Sequence, residues 1–247
     1  RILKQIPAKR QTLLFSATMP EEIRRLAGES LVDPVTVKVG VTAPVETVSH
    51  ALFPVAQHQK TPLLLKLLQQ TRTDSVLVFT RTKHRAKRLG EQLSRAGYRA
   101  ASLQGNLSQN RRQNAINGFR DGTYQIMVAT DIAARGIDIA NVSHVINYDI
   151  PNTADAYIHR IGRTGRAAHT GEAYTMITDE DTQMVRAIDR VMGAKVERQT
   201  LPDFNYEAAA AKTNQPPRPA GQKPSNRQHA SPKRKHSRSA PTRKRRA

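Results

Sequence analysis

Three arginines at a spacing of three, separated by glycines, stand in the run His159-Arg160-Ile161-Gly162-Arg163-Thr164-Gly165-Arg166. Arginine suits phosphate because its planar fork donates two hydrogen bonds at once and stays charged. Each glycine weakens a helix by up to about 1 kcal/mol relative to Ala, a cost that makes sense where backbone or ligand must approach closely. The other reading of such a run is a solvated basic helix face. A second polar segment, Thr130-Asp131-Ile132-Ala133-Ala134-Arg135-Gly136-Ile137-Asp138, follows the apolar Ile126-Met127-Val128-Ala129. Asp179-Glu180-Asp181 could suggest a metal site, but it falls where a helix should begin, so helix capping accounts for it better and no metal is expected. The absence of cysteine rules out disulfides and thiolate metal ligands.

The elements that must position these residues alternate. Strands are predicted over 48–55, 76–80, 99–103, 124–129, 143–148 and 172–178, with helices over 60–70, 82–96, 108–120, 153–162 and 180–193. Val76-Leu77-Val78-Phe79 and Ile126-Met127-Val128-Ala129 are apolar on both faces, as strands covered by helices on both sides should be. The pattern predicts an α/β domain with a mainly parallel sheet, whose ligands sit beyond the C-terminal strand ends. Upstream, Thr12 to Thr18 reads as a buried strand, Pro20 to Ser30 as a helix with Glu21 and Glu22 in its first turn, and Val35 to Val39 as a strand. Residues 40–46 read as a linker. The chain therefore divides into 1–46, the end of one domain plus a linker, 47–206, the α/β domain, and 207–247, a tail.

Net charge is +20 and uneven: residues 208–247 hold 12 Lys or Arg and no Asp or Glu, against 28 basic and 20 acidic residues in the rest. Without aromatic residues after Tyr206, the tail cannot bury enough apolar surface to offset its ordering entropy and is expected to be disordered. Its charge points to a polyanion, serving as an electrostatic tether or as a solubilising extension. Lys233-Arg234-Lys235 and Arg243-Lys244-Arg245-Arg246 also resemble nuclear localisation clusters. No apolar stretch approaches the roughly 18 residues of a membrane span, and no signal peptide opens the chain. A cytoplasmic protein without a membrane partner is expected. The chain starts mid-pattern without Met, which reads as a truncated sequence.

Taken together, Ser16-Ala17-Thr18, Val78-Phe79-Thr80-Arg81-Thr82-Lys83, Gln104-Gly105-Asn106 with Gln109 and Arg112, Ala129-Thr130-Asp131 through Arg135-Gly136-Ile137-Asp138, and His159 through Arg166 resemble the ordered late motifs of DEAD-box RNA helicases. The phrase Phe79 to His84 and the basic tail resemble the bacterial RhlE-type branch. The resemblance implies a RecA-like helicase C-terminal domain that closes with an N-terminal RecA-like domain over ATP and RNA. It implies that Arg163 and Arg166 are arginine fingers at the γ-phosphate and that Asp138 meets the nucleotide ribose. It implies that His159 bridges toward the Ser-Ala-Thr motif, although a satisfied core histidine is the alternative. By the same resemblance Thr80, Arg81, Gly105, Arg112, Thr130, Arg135 and Gly136 grip the RNA backbone, and Ser16 and Thr18 link domain closure to strand separation. Gln104 departs from the His of many relatives and is given no role.

No G-x-x-x-x-G-K-[ST] loop and no Asp-Glu-Ala-Asp occurs in these 247 residues. In the family, Mg²⁺ is held mainly by the N-terminal domain that carries them, so this chain alone is expected to be inactive toward ATP. A non-catalytic RNA-binding module and a DNA helicase of the same superfamily remain the other readings.

Overall fold

The computed structural model describes residues 5–7, 9–16, 19, 21–37, 48–71, 74–135, 142–165 and 170–208. Thr18, Gly136, Asp138 and Arg166 lie outside the described residues, as do residues 38–47 and the tail from 209 onward. By its contacts the chain divides into Arg1–Ala210 and Ala211–Ala247, and every described residue belongs to the first unit.

From residue 48 the predicted alternation is observed. Strands β1 (Val48–Pro54), β2 (Val76–Phe79), β3 (Ala100–Leu103), β4 (Ile126–Ala129), β5 (His144–Asn147), β6 (Gly171–Ile177) and β7 (Glu197–Arg198) form one sheet of order β3-β4-β2-β5-β6-β1-β7. Every described strand pairing is parallel. Between the strands run α2 (Lys60–Gln70), α3 (Lys83–Arg95), α4 (Gln109–Arg120), the single turn α5 (Asp131–Ala134), α6 (Ala154–Ile161) and α7 (Thr182–Met192), while α1 (Glu21–Ser30) precedes the sheet.

The period of two along β2 explains why its apolar run is continuous. Val76 and Val78 pack with Leu63, Leu67, Leu89 and Leu93 of α2 and α3, whereas Leu77 and Phe79 pack with Ile116 and Phe119 of α4. A third cluster joins Leu52 of β1 to Tyr157 and Ile161 of α6 and Ile188 of α7. Helices therefore cover both faces.

Upstream of residue 48 the expectations hold only in part. The helix after Met19 is present as α1, but 12–16 and 35–37 are irregular rather than strands. Leu13 is 68% exposed and Phe15 89% exposed, so the predicted burial of this run is corrected. A β-strand is stable only when its N–H and C=O groups find a neighbour, and among the described residues this segment pairs with none.

Candidate functional site at the C-terminal strand ends

The parallel register decides where the motif residues fall. Phe79 pairs with both Ala129 and Asn147, Ala129 with Leu103, and Asn147 with Thr175. Four strands thus stop in line, and the residues that step off them, Thr80-Arg81, Gln104-Gly105-Asn106, Thr130-Asp131 and Tyr148-Asp149, share one edge. A cleft of about 600 Å³ on that edge gathers Arg81, Thr130, Arg135, His159 and Arg163. Its charged lining is Arg81, Arg135, Arg160 and Arg163 against Asp131, a net positive surface suited to a phosphate-rich ligand.

Sequence reasoning gave Arg160 no role of its own, yet its side chain makes a buried network of hydrogen bonds. It is 3% exposed and donates from Nε and Nη2 to the two Asp131 carboxylate oxygens, at 2.7 and 2.8 Å. Nη1 donates to Asn147 Oδ1 at 3.0 Å and to the Asp149 carbonyl at 2.8 Å, and the guanidinium lies 4.9 Å from the Phe79 ring centre. Asn147, fully buried, passes a further hydrogen bond to Thr175. This network docks α6 onto the ends of β2, β4 and β5, and Arg163 follows from that docking. No spacing rule separates Arg160 from Arg163. The signal lies in Asp131 and Asn147, acceptors distant in sequence.

The octet is not one helix. Thr153 caps the start of α6 by accepting from Ala156 N, and the helix stops at Ile161. Arg163 sits in the turn beyond, and Gly165 has φ 68°, the left-handed region where glycine is favoured. Gly162 is the C-cap of α6, at the end expected for the helix predicted over 153–162, and Gly165 lies in the turn beyond it. A β-carbon on Gly171 would overlap Thr164 and the Gly165 backbone, so the first residue of β6 must be small for this turn to lie against the sheet. Thr164 completes the seat by donating to the Val142 carbonyl at 2.5 Å.

The remaining expected residues divide by exposure. Arg81 is about half exposed, with its guanidinium 3.9 Å from Asp181. Thr130 caps α5 through Ala133 N, which places Arg135, exposed, just past that turn. Gly105 is exposed in the turn after β3, which Gln104 shapes by accepting from Asn106 N at 2.7 Å. Arg112 donates to the Ala133 carbonyl at 2.8 Å, tying α4 to α5. Thr80 is fully buried and its hydroxyl donates to the Thr82 carbonyl, so its side chain does not line the surface. Gly105 and Arg112 are not among the residues lining the cleft, and Ser16 lies in the upstream segment. His159 is exposed on the cleft side of α6 rather than buried as a core histidine.

Asp181 accepts from the backbone N–H and the hydroxyl of Thr178, both at 2.9 Å, so this member of the acidic trio completes a capping box at the turn leading into α7. Among the described residues no group of three or more His, Cys, Asp or Glu is placed to hold a metal ion. No described helix is long and apolar enough to cross a membrane.

A parallel sheet covered on both faces, with an arginine-rich cleft at its C-terminal edge, is the architecture of a helicase C-terminal domain, and residues 59–168 match the family described as helicase conserved C-terminal domain. The DEAD-box ATP-dependent RNA helicase CshA of Geobacillus kaustophilus is 43% identical over 205 residues, which cover 83% of this chain and 44% of that protein. The crystal structure of the Escherichia coli DEAD-box protein SrmB bound to regulator of ribonuclease activity A is similar with a TM-score of 0.61 and 34% identity, over 66% of this chain and 95% of that one. The C-terminal domain of the DEAD-box protein Dbp5 gives 0.58 and 32%, over 62% and 91%. The chain belongs to the DEAD-box family, and its sheet is the RecA-like C-terminal half. It spans less than half the length of the curated relatives it matches.

Proposed function

We propose that this chain is the C-terminal part of an RNA-dependent ATPase that separates short RNA duplexes, supplying arginine fingers to ATP and a backbone-gripping surface to RNA. What carries the reading is the cleft at the strand ends, where Arg81, Thr130, Arg135, His159 and Arg163 meet on a net positive surface. Charge building on a transferred phosphoryl group requires a preplaced cation, and an arginine in that position is worth about 10³–10⁵ in rate. Arg163, seated by the α6 docking network, takes this role with Arg166. His159 couples nucleotide state to the Ser16–Thr18 motif. The roles of Arg166, Asp138, Gly136 and Thr18 rest on the motif resemblance alone.

On the RNA side, Arg81, Arg112, Arg135 and the backbone beside Gly105 and Gly136 meet sugar and phosphate, groups that carry no base identity. Thr80 and Thr130 hold the turns that present them. The basic tail tethers flanking RNA with strong salt dependence. ATP enters with Mg²⁺ held by an N-terminal RecA-like domain, and the chain without that domain turns over ATP negligibly. The division at residues 46 and 206, a cytoplasmic setting and the RhlE-type branch belong to the same reading.

The test uses the chain joined to a DEAD-box N-terminal half. Arg163→Ala should abolish RNA-stimulated turnover while RNA binding persists. Unchanged turnover would make the domain a binding module, and DNA strands that compete as well as RNA would move it to a DNA helicase.

A further inference from the structure

Asp149 stands two residues beyond β5 and is 2% exposed. A buried carboxylate is costly unless it is paired and hydrogen-bonded, so the partners it collects show what the site holds together. Its Oδ2 accepts from the backbone N–H of Arg81 at 2.8 Å, and its Oδ1 pairs with the Arg85 guanidinium and lies 3.9 Å from Lys60 Nζ. Lys60 is itself 2% exposed. The main chain of Asp149 is engaged as well: its N–H donates to the Phe79 carbonyl at 3.2 Å, and its carbonyl accepts from Arg160 Nη1 at 2.8 Å. One residue therefore contacts α2, α3, the turn after β2 and α6.

We propose that Asp149 is a positioning residue for RNA binding: it fixes the backbone of the Arg81 turn and ties that turn to α6, the helix that leads into the Arg163 turn. This rests on the reading of Arg81 as a phosphate ligand. With the backbone held by Asp149 and the guanidinium flanked by Asp181 at 3.9 Å, Arg81 faces the cleft preorganised, and less conformational freedom is lost when a phosphate arrives. Because Asp149 and Asp131 are both gripped by Arg160, a shift of α6 is transmitted to the Arg81 turn through hydrogen bonds rather than through the apolar core.

A double-mutant cycle on the whole chain tests this, reading the affinity for a labelled oligouridine across salt concentrations. The buried charges are removed together, as Asp149→Ala with Lys60→Met, so that neither is left unpaired, and retained melting behaviour checks the fold. Arg81→Ala should weaken binding about tenfold and lower the salt slope by about 0.7, the contribution of one phosphate contact. The buried pair's removal should do the same, and the combination should be no weaker than either alone. Asp149→Asn with Lys60→Met, which keeps a carbonyl acceptor for the Arg81 N–H, should restore most of the affinity. Arg112→Ala should add its full loss in every background. If the losses from Arg81 and Asp149 multiply, or the Asn variant binds no better than the Ala variant, Asp149 does not act through Arg81. If Arg81→Ala and Arg112→Ala both bind as the parent does, the RNA reading of this edge fails instead.

Discussion

Two arginines three residues apart, Arg160 and Arg163, show what residue type alone conveys and what it leaves open. Both invite a phosphate reading. Both line the cleft, but burial separates them: Arg160 is buried and makes four hydrogen bonds inside the domain, while Arg163 is part-buried in the turn beyond α6. Removing the Arg160 side chain strands Asn147 Oδ1 and the Asp149 carbonyl and leaves Asp131, itself partly exposed, without its partner. Arg160→Met is therefore expected to lower the unfolding free energy by about 3 kcal/mol. Arg160→Lys should recover little, since an ammonium cannot reproduce the bidentate fork. Arg163→Ala, a change in the turn beyond α6 rather than within this network, should cost less than Arg160→Met. Urea melts of the three variants check this, and equal losses for Arg160→Met and Arg163→Ala would contradict the division of roles. Asp149 was not legible at all. A single Asp before Ile150 and Pro151 carries no pattern, and its partner Lys60 is brought to it only by the sheet.

Elements proved more legible where their partners lie within the chain. The runs at 76–79 and 126–129 name themselves because central parallel strands are apolar on both sides. The run at 12–16, apolar at Leu13, Leu14 and Phe15, forms no strand, because periodicity records a preference for burial and not the neighbour that provides it. The two-residue β7 carried no signal, being Glu-Arg and exposed. It is held instead by Asp189 of α7, which accepts from Val196 N and from Arg198 Nη2, each at 2.9 Å. Burial pushes the Asp189 carboxyl up, but the hydrogen bonds from Arg198 and Val196 and the charges of Arg198 and Lys195 bring it below its ordinary value. With the folded value depressed, the unfolded chain takes up the proton first as pH falls. The stabilisation is thus complete above the ordinary carboxylate range and is lost as pH falls through the lowered value. Asp189→Asn should cost roughly 1 kcal/mol at neutral pH, with the gap to the parent closing in acid. Thermal melts from pH 7 to pH 3 measure it, and a gap that stays constant throughout would remove Asp189 from the strand's support.

For the whole molecule, the fold class and the edge where the post-strand motif residues gather were readable from alternation and motif order, because a parallel sheet sends every strand's C-terminal end to one side. How the motifs meet was not readable, since it depends on the register that sets Leu103, Ala129, Phe79 and Asn147 in line. The same register leaves the arginine cleft at the sheet edge, and in the proposed reading that cleft is a half-site to which another domain presents ATP. The direct measurement is RNA-stimulated ATP hydrolysis by this chain, alone and joined to a DEAD-box N-terminal half. The expected result is negligible turnover alone, RNA-dependent turnover when joined, and its loss on Arg163→Ala. Steady hydrolysis by the chain alone, or joined activity indifferent to Arg163, would contradict it.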